Sequence, residues 1–237
     1  MKTLLTFTTR PEPCSYLQAE TSQLKYDIVG DLTHDEYMAR LQAGWRRFGF
    51  SLFRPECPAC KACQSIRVDV ERFEPDRSQH RAMKANRDVQ IIRGEPDVSE
   101  ERIDLYDRFH DYRVDTVGWR NHGIGDASNY IEMFVANPFA VEEWQYRLEG
   151  KLVGVGYVDV VPNGLSAIYF IYDPEFRNRS LGTFNALSVI QSTRQRQKPF
   201  AYLGYYVEGC RSLEYKARFR PNEVYDGVSR VWRPFKS

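Results

Sequence analysis

The sequence predicts a mixed α/β (α+β) protein in two parts. A smaller cysteine-containing N-terminal domain, residues 1–95, packs on a C-terminal domain, residues 96–237. Three observations carry this expectation. The β-rich runs WQYRLEG (144–150), KLVGVGYVDVV (151–161) and GLSAIYFIYDP (164–174) follow one another with turns at Glu149-Gly150 and Pro162-Asn163-Gly164, the pattern of a strand meander. After it, Leu181, Phe184, Leu187 and Ile190 recur at helical spacing and lead to a further apolar run, FAYLGYYV (200–207). A chain of 237 residues with 42% hydrophobic and 14% aromatic content fills a sizeable core without cross-links, and the 96–99 stretch punctuates it between the two parts.

The elements follow in order. The first third is irregular up to a helix over 34–48, opened by Thr33 as its cap with Asp35 and Glu36 in the first turn. A cysteine loop precedes SIRVDVERF (65–73), whose alternation suits a strand. In DRSQHRAMKANRDVQI (76–91), spacings of 4, 3 and 3 stack Arg77, Arg81, Lys84 and Arg87 along one face of a helix. A helix over 99–114 leads to a loop holding Gly118, Gly123 and Gly125, and a second over 126–135 stops at Asn137-Pro138. Beyond the meander, the turn RNRSLGT (177–183) opens the next helix, and a last one begins at 209–212.

Composition excludes several classes. No apolar run approaches the ~20 residues that span a bilayer. The opening MKTLLTFTTRPEPC is too short and polar for a secretory signal. Five cysteines, an odd number with three clustered, do not suit a secreted disulfide framework, so the expected compartment is cytoplasmic. Net charge is +1 but uneven: 95–149 holds thirteen acidic against five basic residues, and 177–220 nine basic against two acidic. This swing from −8 to +7 fits either ordinary solvated faces or a basic face for a polyanion.

Two stretches carry chemistry. Backbone N–H groups at a helix start form an anion site, which places Arg177, Arg179, Ser180 and Gly182 where a phosphate binds. The turn RNRSLG resembles a degenerate acyl-CoA-binding loop of the N-acetyltransferases. In FRPECPACKACQSIRV, the spacing of Cys57, Cys60 and Cys63 suits either a metal site or reduced thiols packing a loop. Cys210 reads as an ordinary buried thiol. His34, His80, His110 and His122 lack metalloenzyme spacing, and His80 and His122 are expected in structural or surface roles.

Seven motifs in order, CSYL (14–17), RPECPACKAC (54–63), DRSQHR (76–81), IYFIYDP (168–174), RSLGT (179–183), YLGYYV (202–207) and YKARFRP (215–221), resemble the aminoacyl-tRNA–protein transferases. The likeness is closest to the short bacterial branch that moves leucine from Leu-tRNA onto proteins beginning with Asp or Glu, marking them for degradation in the N-degron pathway. It implies an acetyltransferase-like (GNAT-like) C-terminal domain with tRNA in place of acyl-CoA, and no required cofactor. An ester donor is already activated, so positioning, oxyanion stabilisation and a proton for the departing ribose oxygen suffice.

On this resemblance Asp173 and Tyr172 are candidates to orient or deprotonate the amine, against the simpler reading of Asp173-Pro174 as a turn. Arg77 and Arg81, or Arg54, suit the acceptor carboxylate. Arg177, Arg179, Ser180, Gly182, Lys216, Arg218 and Arg220 suit the tRNA end. Of Tyr169, Tyr202, Tyr205 and Tyr206, at most two are expected to touch substrate, by stacking on adenosine or lining the aminoacyl pocket. Cysteine-rich regions of the longer eukaryotic relatives are linked to metal clusters, but here the CxxC motif is reduced to Cys14 and an adjacent pair is replaced by Cys57, Cys60 and Cys63. Zinc or an iron–sulfur cluster at these four thiols remains one alternative. An arginine donor, an acetyl-CoA-dependent acyltransferase and a non-catalytic Cys-rich RNA-binding module are the rival readings. An arginine donor needs an acidic pocket and a leucine donor an apolar one.

Overall fold

The computed structural model describes residues 1–119 and 125–235, so His122 and Gly123 lie outside the described residues. The chain begins with β1 (Lys2–Thr8), the two-residue strands β2 (Glu12–Pro13) and β3 (Thr21–Ser22), and β4 (Leu24–Asp31). After α1 (His34–Gln42), β5 (Arg46–Phe48) and β6 (Ser51–Pro55) join β1 and β4 in an antiparallel sheet ordered β1-β4-β6-β5.

A second, eight-stranded sheet forms the centre. Its strands are β7 (Cys63–Asp69), β8 (Gln90–Gly94), β9 (Val141–Leu148), β10 (Lys151–Val161), β11 (Gly164–Tyr172), β12 (Phe200–Val207), β13 (Asn222–Asp226) and β14 (Val231–Pro234). Their order is β14-β13-β7-β12-β11-β10-β9-β8, and β11–β12 is its parallel pair. The mixed α/β class expected from the sequence is therefore observed. Strands from both sides of residue 96 share this sheet, with β7 lying between β12 and β13.

The remaining helices are α2 (Arg77–Ala85), α3 (Glu100–Val117), α4 (Ala127–Tyr130), α5 (Leu181–Gln195) and α6 (Arg211–Glu214). On one face of the sheet, Leu181, Leu187 and Ile190 of α5 pack with Leu165, Leu203 and Ile66. On the other, Leu105 and Phe109 of α3 meet Val155, Tyr157 and Ile171. Tyr37 and Leu41 of α1 join Leu52, Val161 and Tyr202. No helix among the described residues is long and apolar enough to cross a membrane.

Three expectations are corrected. The helix placed over 34–48 ends at Gln42, because Gly44 takes φ +80° and the following Arg46–Phe48 pairs with β6. The segment 76–91 is helical only to Ala85; Asn86 caps it, and from Gln90 the chain pairs with β9 as an edge strand. The first third, read as irregular, contains β1 and β4. The residues of β1 are all exposed on both faces, so no one-sided burial imposes an apolar alternation that could be read from the sequence.

The parallel pair positions the site. β11 and β12 are in register only at Gly164–Phe200, Leu165–Ala201 and Ser166–Tyr202, after which the strands part. A parallel pair requires a crossover, and α5 supplies it, its first turn facing the opened end.

Candidate active site

Two strands that part expose backbone carbonyls that need donors. Here two cations supply them. Arg46, on β5, donates to Ser166 Oγ at 3.2 Å and to the Ala167 carbonyl. Lys216, in the turn after α6, donates from Nζ to the Tyr205 carbonyl at 3.0 Å. Between them lies Gly204, at φ +86°. A methyl group there would lie 3.3 Å from Lys216 Nζ and 3.7 Å from Arg46 Nη2, so glycine keeps this gap open.

The space is a cavity of about 610 Å³, within the range that encloses a small-molecule group. Phe48, Phe53, Phe109, Trp119, Ile168 and Tyr169 make an apolar and aromatic wall. Ser180, Leu181, Gly182 and Thr183 bring the N-terminal turn of α5 to its edge, with Arg177 beside them. The first N–H groups of a helix lack intrahelical partners and carry the positive end of its dipole, so this turn suits an anion.

The electrostatics are one-sided. Arg46, Arg47, Arg113, Arg177 and Lys216 line the cavity, and its described wall holds no Asp or Glu. Arg47 is neutralised by Asp159, both side chains being fully buried. Arg113 stacks over Trp119 with 4.8 Å from guanidinium carbon to ring centre, and its buried Nε has no hydrogen-bond partner. Burial, reinforced by the nearby Arg46 charge and opposed by Cys210, holds the Lys216 ammonium down to a pKa of about 7. Lys216 is thus an amine that both holds and releases a proton near neutrality.

A second cavity of about 410 Å³ adjoins the first, and Tyr16, Leu24, Phe53 and Tyr205 line both. Cys14, Cys57, Cys60 and Cys63 all line it, so the fold does carry Cys14 to the cysteine loop. Burial and the neighbouring thiols push Cys63 up to about 12. Among the described residues no group of three or more His, Cys, Asp or Glu side chains is disposed to hold a metal ion. As placed, the thiols do not fit zinc or an iron–sulfur cluster.

The family profile described as arginine-tRNA-protein transferase, C terminus, matches residues 101–226, and the one described as its N terminus matches residues 12–81. The chain belongs to the arginine-tRNA-protein transferase family. A relative named aspartate/glutamate leucyltransferase, from Pseudomonas paraeruginosa, is 36% identical over 233 residues, covering 95% of this chain and 94% of its own. A relative of the same name from Campylobacter jejuni is 32% identical over 229 residues, covering 95% of each. Among solved structures, L-PGS from Bacillus licheniformis aligns with a TM-score of 0.45 and 14% identity, over 74% of this chain and 59% of that one.

In this transferase the residues singled out from sequence are distributed unevenly. Tyr169, Tyr172, Tyr205, Arg177, Ser180, Gly182 and Lys216 all reach the first cavity. Tyr202 and Tyr206 are core residues, so two of the four tyrosines are available to substrate. Tyr169 is held by His110. The Tyr106 carbonyl, 2.7 Å from Nδ1, can only accept, so Nδ1 carries the proton and Nε2 accepts from the Tyr169 hydroxyl at 2.9 Å.

Asp173 does not enter the cavity. Fully buried at the end of β11, it accepts from the Glu175 N–H and pairs with Arg108 at 2.9 Å and Lys151 at 3.0 Å. Burial raises its pKa, but these hydrogen bonds outweigh burial and the net shift is downward. A carboxylate held by two cations caps a turn and is a poor base. Arg179 is turned toward Asp88, and Arg218 is exposed. Arg54 lines the second cavity and pairs with Glu56. Arg77 and Arg81 are exposed on α2 and line neither cavity.

Arg46, Arg113 and Gly204 escaped the sequence reading. Arg46 was assigned to a helix that ends before it. Arg113 is one of few cations in an acidic segment, which was its only signal.

Proposed function

We propose that this protein transfers leucine from Leu-tRNA to the α-amino group of proteins beginning with Asp or Glu, marking them for degradation in the cytoplasm. The observation that carries the choice of donor is the apolar, carboxylate-free wall of the first cavity. A leucyl side chain is matched by Phe48, Phe109 and Ile168, whereas an arginyl group would lie unpaired among like charges. The names of the relatives support the same reading.

The terminal adenosine stacks on Tyr169 or Tyr172, and its phosphate meets Arg177 and the N-terminal turn of α5. The parted β11–β12 pair and this turn support an acetyltransferase-like arrangement of the C-terminal part, with the tRNA end taking the place of an acyl carrier. The acceptor chain arrives through the second cavity, where the exposed Arg54–Glu56 pair is weak enough to yield to an incoming carboxylate. Arg46 and Arg113, which have no carboxylate partner among the described residues, face the acceptor from the first.

The acceptor reacts as its neutral α-amine, the ammonium proton having gone to solvent, a form partly populated because the group titrates near ~8. Neutral Lys216 takes one of the two amine protons as nitrogen bonds to the ester carbonyl carbon. The tetrahedral oxyanion forms beside Arg46. As the carbon–oxygen bond breaks, Lys216 returns its proton to the leaving ribose oxygen, restoring the neutral amine.

The test is transfer of labelled leucine or arginine from its tRNA to peptides beginning with Glu, Asp, Lys or Ala. Leucine on the Glu and Asp peptides alone is the expected result. Arginine transfer, or leucine appearing equally on Lys and Ala peptides, would overturn the reading.

A further inference from the structure

The helix α2 carries a cationic ridge that the transfer reaction leaves unused. Arg77, Arg81 and Lys84 are exposed at spacings of four and three, and exposed Arg87 follows the helix end. Gln79 and Ala82 form the buried face. None of the four cations has a carboxylate partner among the described residues, because the nearby acids are committed elsewhere. Asp76 caps α2 through the Ser78 and Gln79 N–H groups, Asp88 pairs with Arg179, and Asp69 pairs with Arg72.

A helix face tuned for stability alternates its signs. Like charges at i,i+3 and i,i+4 repel, so this ridge weakens the helix that carries it. Its position is specific. Gln79 Nε2 donates to the Arg218 carbonyl at 3.2 Å, tying α2 to the turn that holds Lys216. Asn86 Nδ2 donates to the Arg179 carbonyl at 2.8 Å, and Arg179 returns a bond to the Ala85 carbonyl at 2.9 Å, tying it to the turn that holds Arg177. The ridge is therefore bonded to both turns that border the cavity mouth.

We propose that the exposed face of α2, Arg77, Arg81, Lys84 and Arg87, extended by Arg218, is the docking surface for the phosphate backbone of the double-stranded arm of the donor tRNA. The inference rests on the Leu-tRNA reading above. The cavity accommodates the terminal nucleoside and its leucine, so the duplex stays outside and runs over whatever flanks the mouth. From Arg77 to Lys84 the helix rises about 10 Å, enough to face several consecutive phosphates. An acidic partner protein is the competing occupant. A polyanion of regular spacing is the better match to cations repeated along one helix face.

The experiment compares the full chain with the triple variant Arg77→Gln, Arg81→Gln, Lys84→Gln, all at exposed positions. Uncharged tRNA binding is measured against salt concentration, and leucine transfer to a Glu peptide is measured from Leu-tRNA and from a leucylated CCA trinucleotide. With about 0.7–0.9 lost from the log–log salt slope per phosphate contact, the triple variant loses ~2–3 from the slope and ~10-fold or more in affinity near physiological salt. Transfer from the trinucleotide stays at the level of the unmodified chain. An unchanged tRNA slope and affinity would overturn the proposal, and so would an equal loss with the short donor. An unchanged tRNA slope with weaker capture of acidic acceptor proteins would assign the ridge to the acceptor instead. If the unmodified chain transfers no leucine at all, the functional reading fails, while the binding slope still decides the ridge.

Discussion

Replacing Lys216 by arginine separates charge from proton transfer. The variant keeps a cation and a donor for the Tyr205 carbonyl, but a guanidinium does not release its proton in the physiological range. A lysine titrating at about 7 is roughly half neutral at pH 7 and about nine-tenths neutral at pH 8, whereas an ordinary lysine is neutral in fewer than one molecule in about 10³ at pH 7. Loss of a positioned base costs ~10²–10⁴-fold in rate, so Lys216→Arg is expected to slow single-turnover transfer by ~10²-fold or more while Leu-tRNA affinity stays within ~3-fold.

The acceptor amine itself titrates near ~8 and would obscure the limb due to Lys216. An acceptor whose N-terminal amine is replaced by an aminooxy group removes that ambiguity, since its weakly basic nitrogen stays a neutral NH2 group throughout this range and still has a proton for Lys216 to take. With it, transfer should still rise through about pH 7 in the unmodified chain and lose that limb in the variant. A flat profile for the unmodified chain, or a variant that transfers at the original rate, would refute the role given to Lys216. The sign of the stability linkage is also set. Because the folded pKa lies below that of an unfolded lysine, the lysine's penalty is complete below pH 7 and fades as pH rises toward ~10.4.

Gly204→Ala forces a side chain into a left-handed backbone and into the gap between Lys216 and Arg46, so kcat per folded molecule should fall at least ~10-fold with peptide KM nearly unchanged, the folded fraction being read from the melting curve; an unchanged kcat per folded molecule would refute the role of the gap. Asp159→Asn leaves Arg47 buried without its counter-charge, at a cost of about 3–5 kcal/mol, and calorimetry should show Tm lower by roughly 10 °C. A change within ~2 °C would mean that the neutral partners of Arg47 suffice. Asp173→Asn should leave transfer per folded molecule within ~3-fold but alter acid stability. The folded pKa of Asp173 is lowered, so its stabilisation is present above the unfolded value of ~3.9 and lost as pH falls through the folded one. A large loss of transfer with unchanged melting would return Asp173 to the reacting groups.

What the sequence made legible was local. The meander 141–172, α5 and β12 follow from period-2 and helical patterns bounded by Gly and Pro, and their observed limits lie close to the expected ones. Arg177, Ser180, Gly182, Tyr169 and Tyr205, singled out from the sequence, all line the first cavity, because a helix start and the aromatics of two neighbouring strands declare their surroundings within a few residues. Arg77 and Arg81 were legible as cations on one helix face, but a spacing rule does not say what that face looks toward. The insertion of β7 between β12 and β13 left no local trace. Nor did the pairing of Asp173 with Arg108 and Lys151, which come from elements distant in sequence.

The reactivity assigned to Lys216 is the sharpest case. In the motif YKARFRP it is one more cation in a basic segment, and a phosphate contact is the natural reading. Its chemistry changes only when β11 and β12 part, Gly204 leaves a gap, and β5 sets Arg46 against the same opening. Burial disfavours the ammonium, and a fixed neighbouring guanidinium disfavours it further. A residue identical in sequence terms but turned to solvent would stay charged throughout the physiological range. The base in this reading is therefore a product of topology: the same parting of strands that opens space for the leucyl ester also desolvates the amine that serves it.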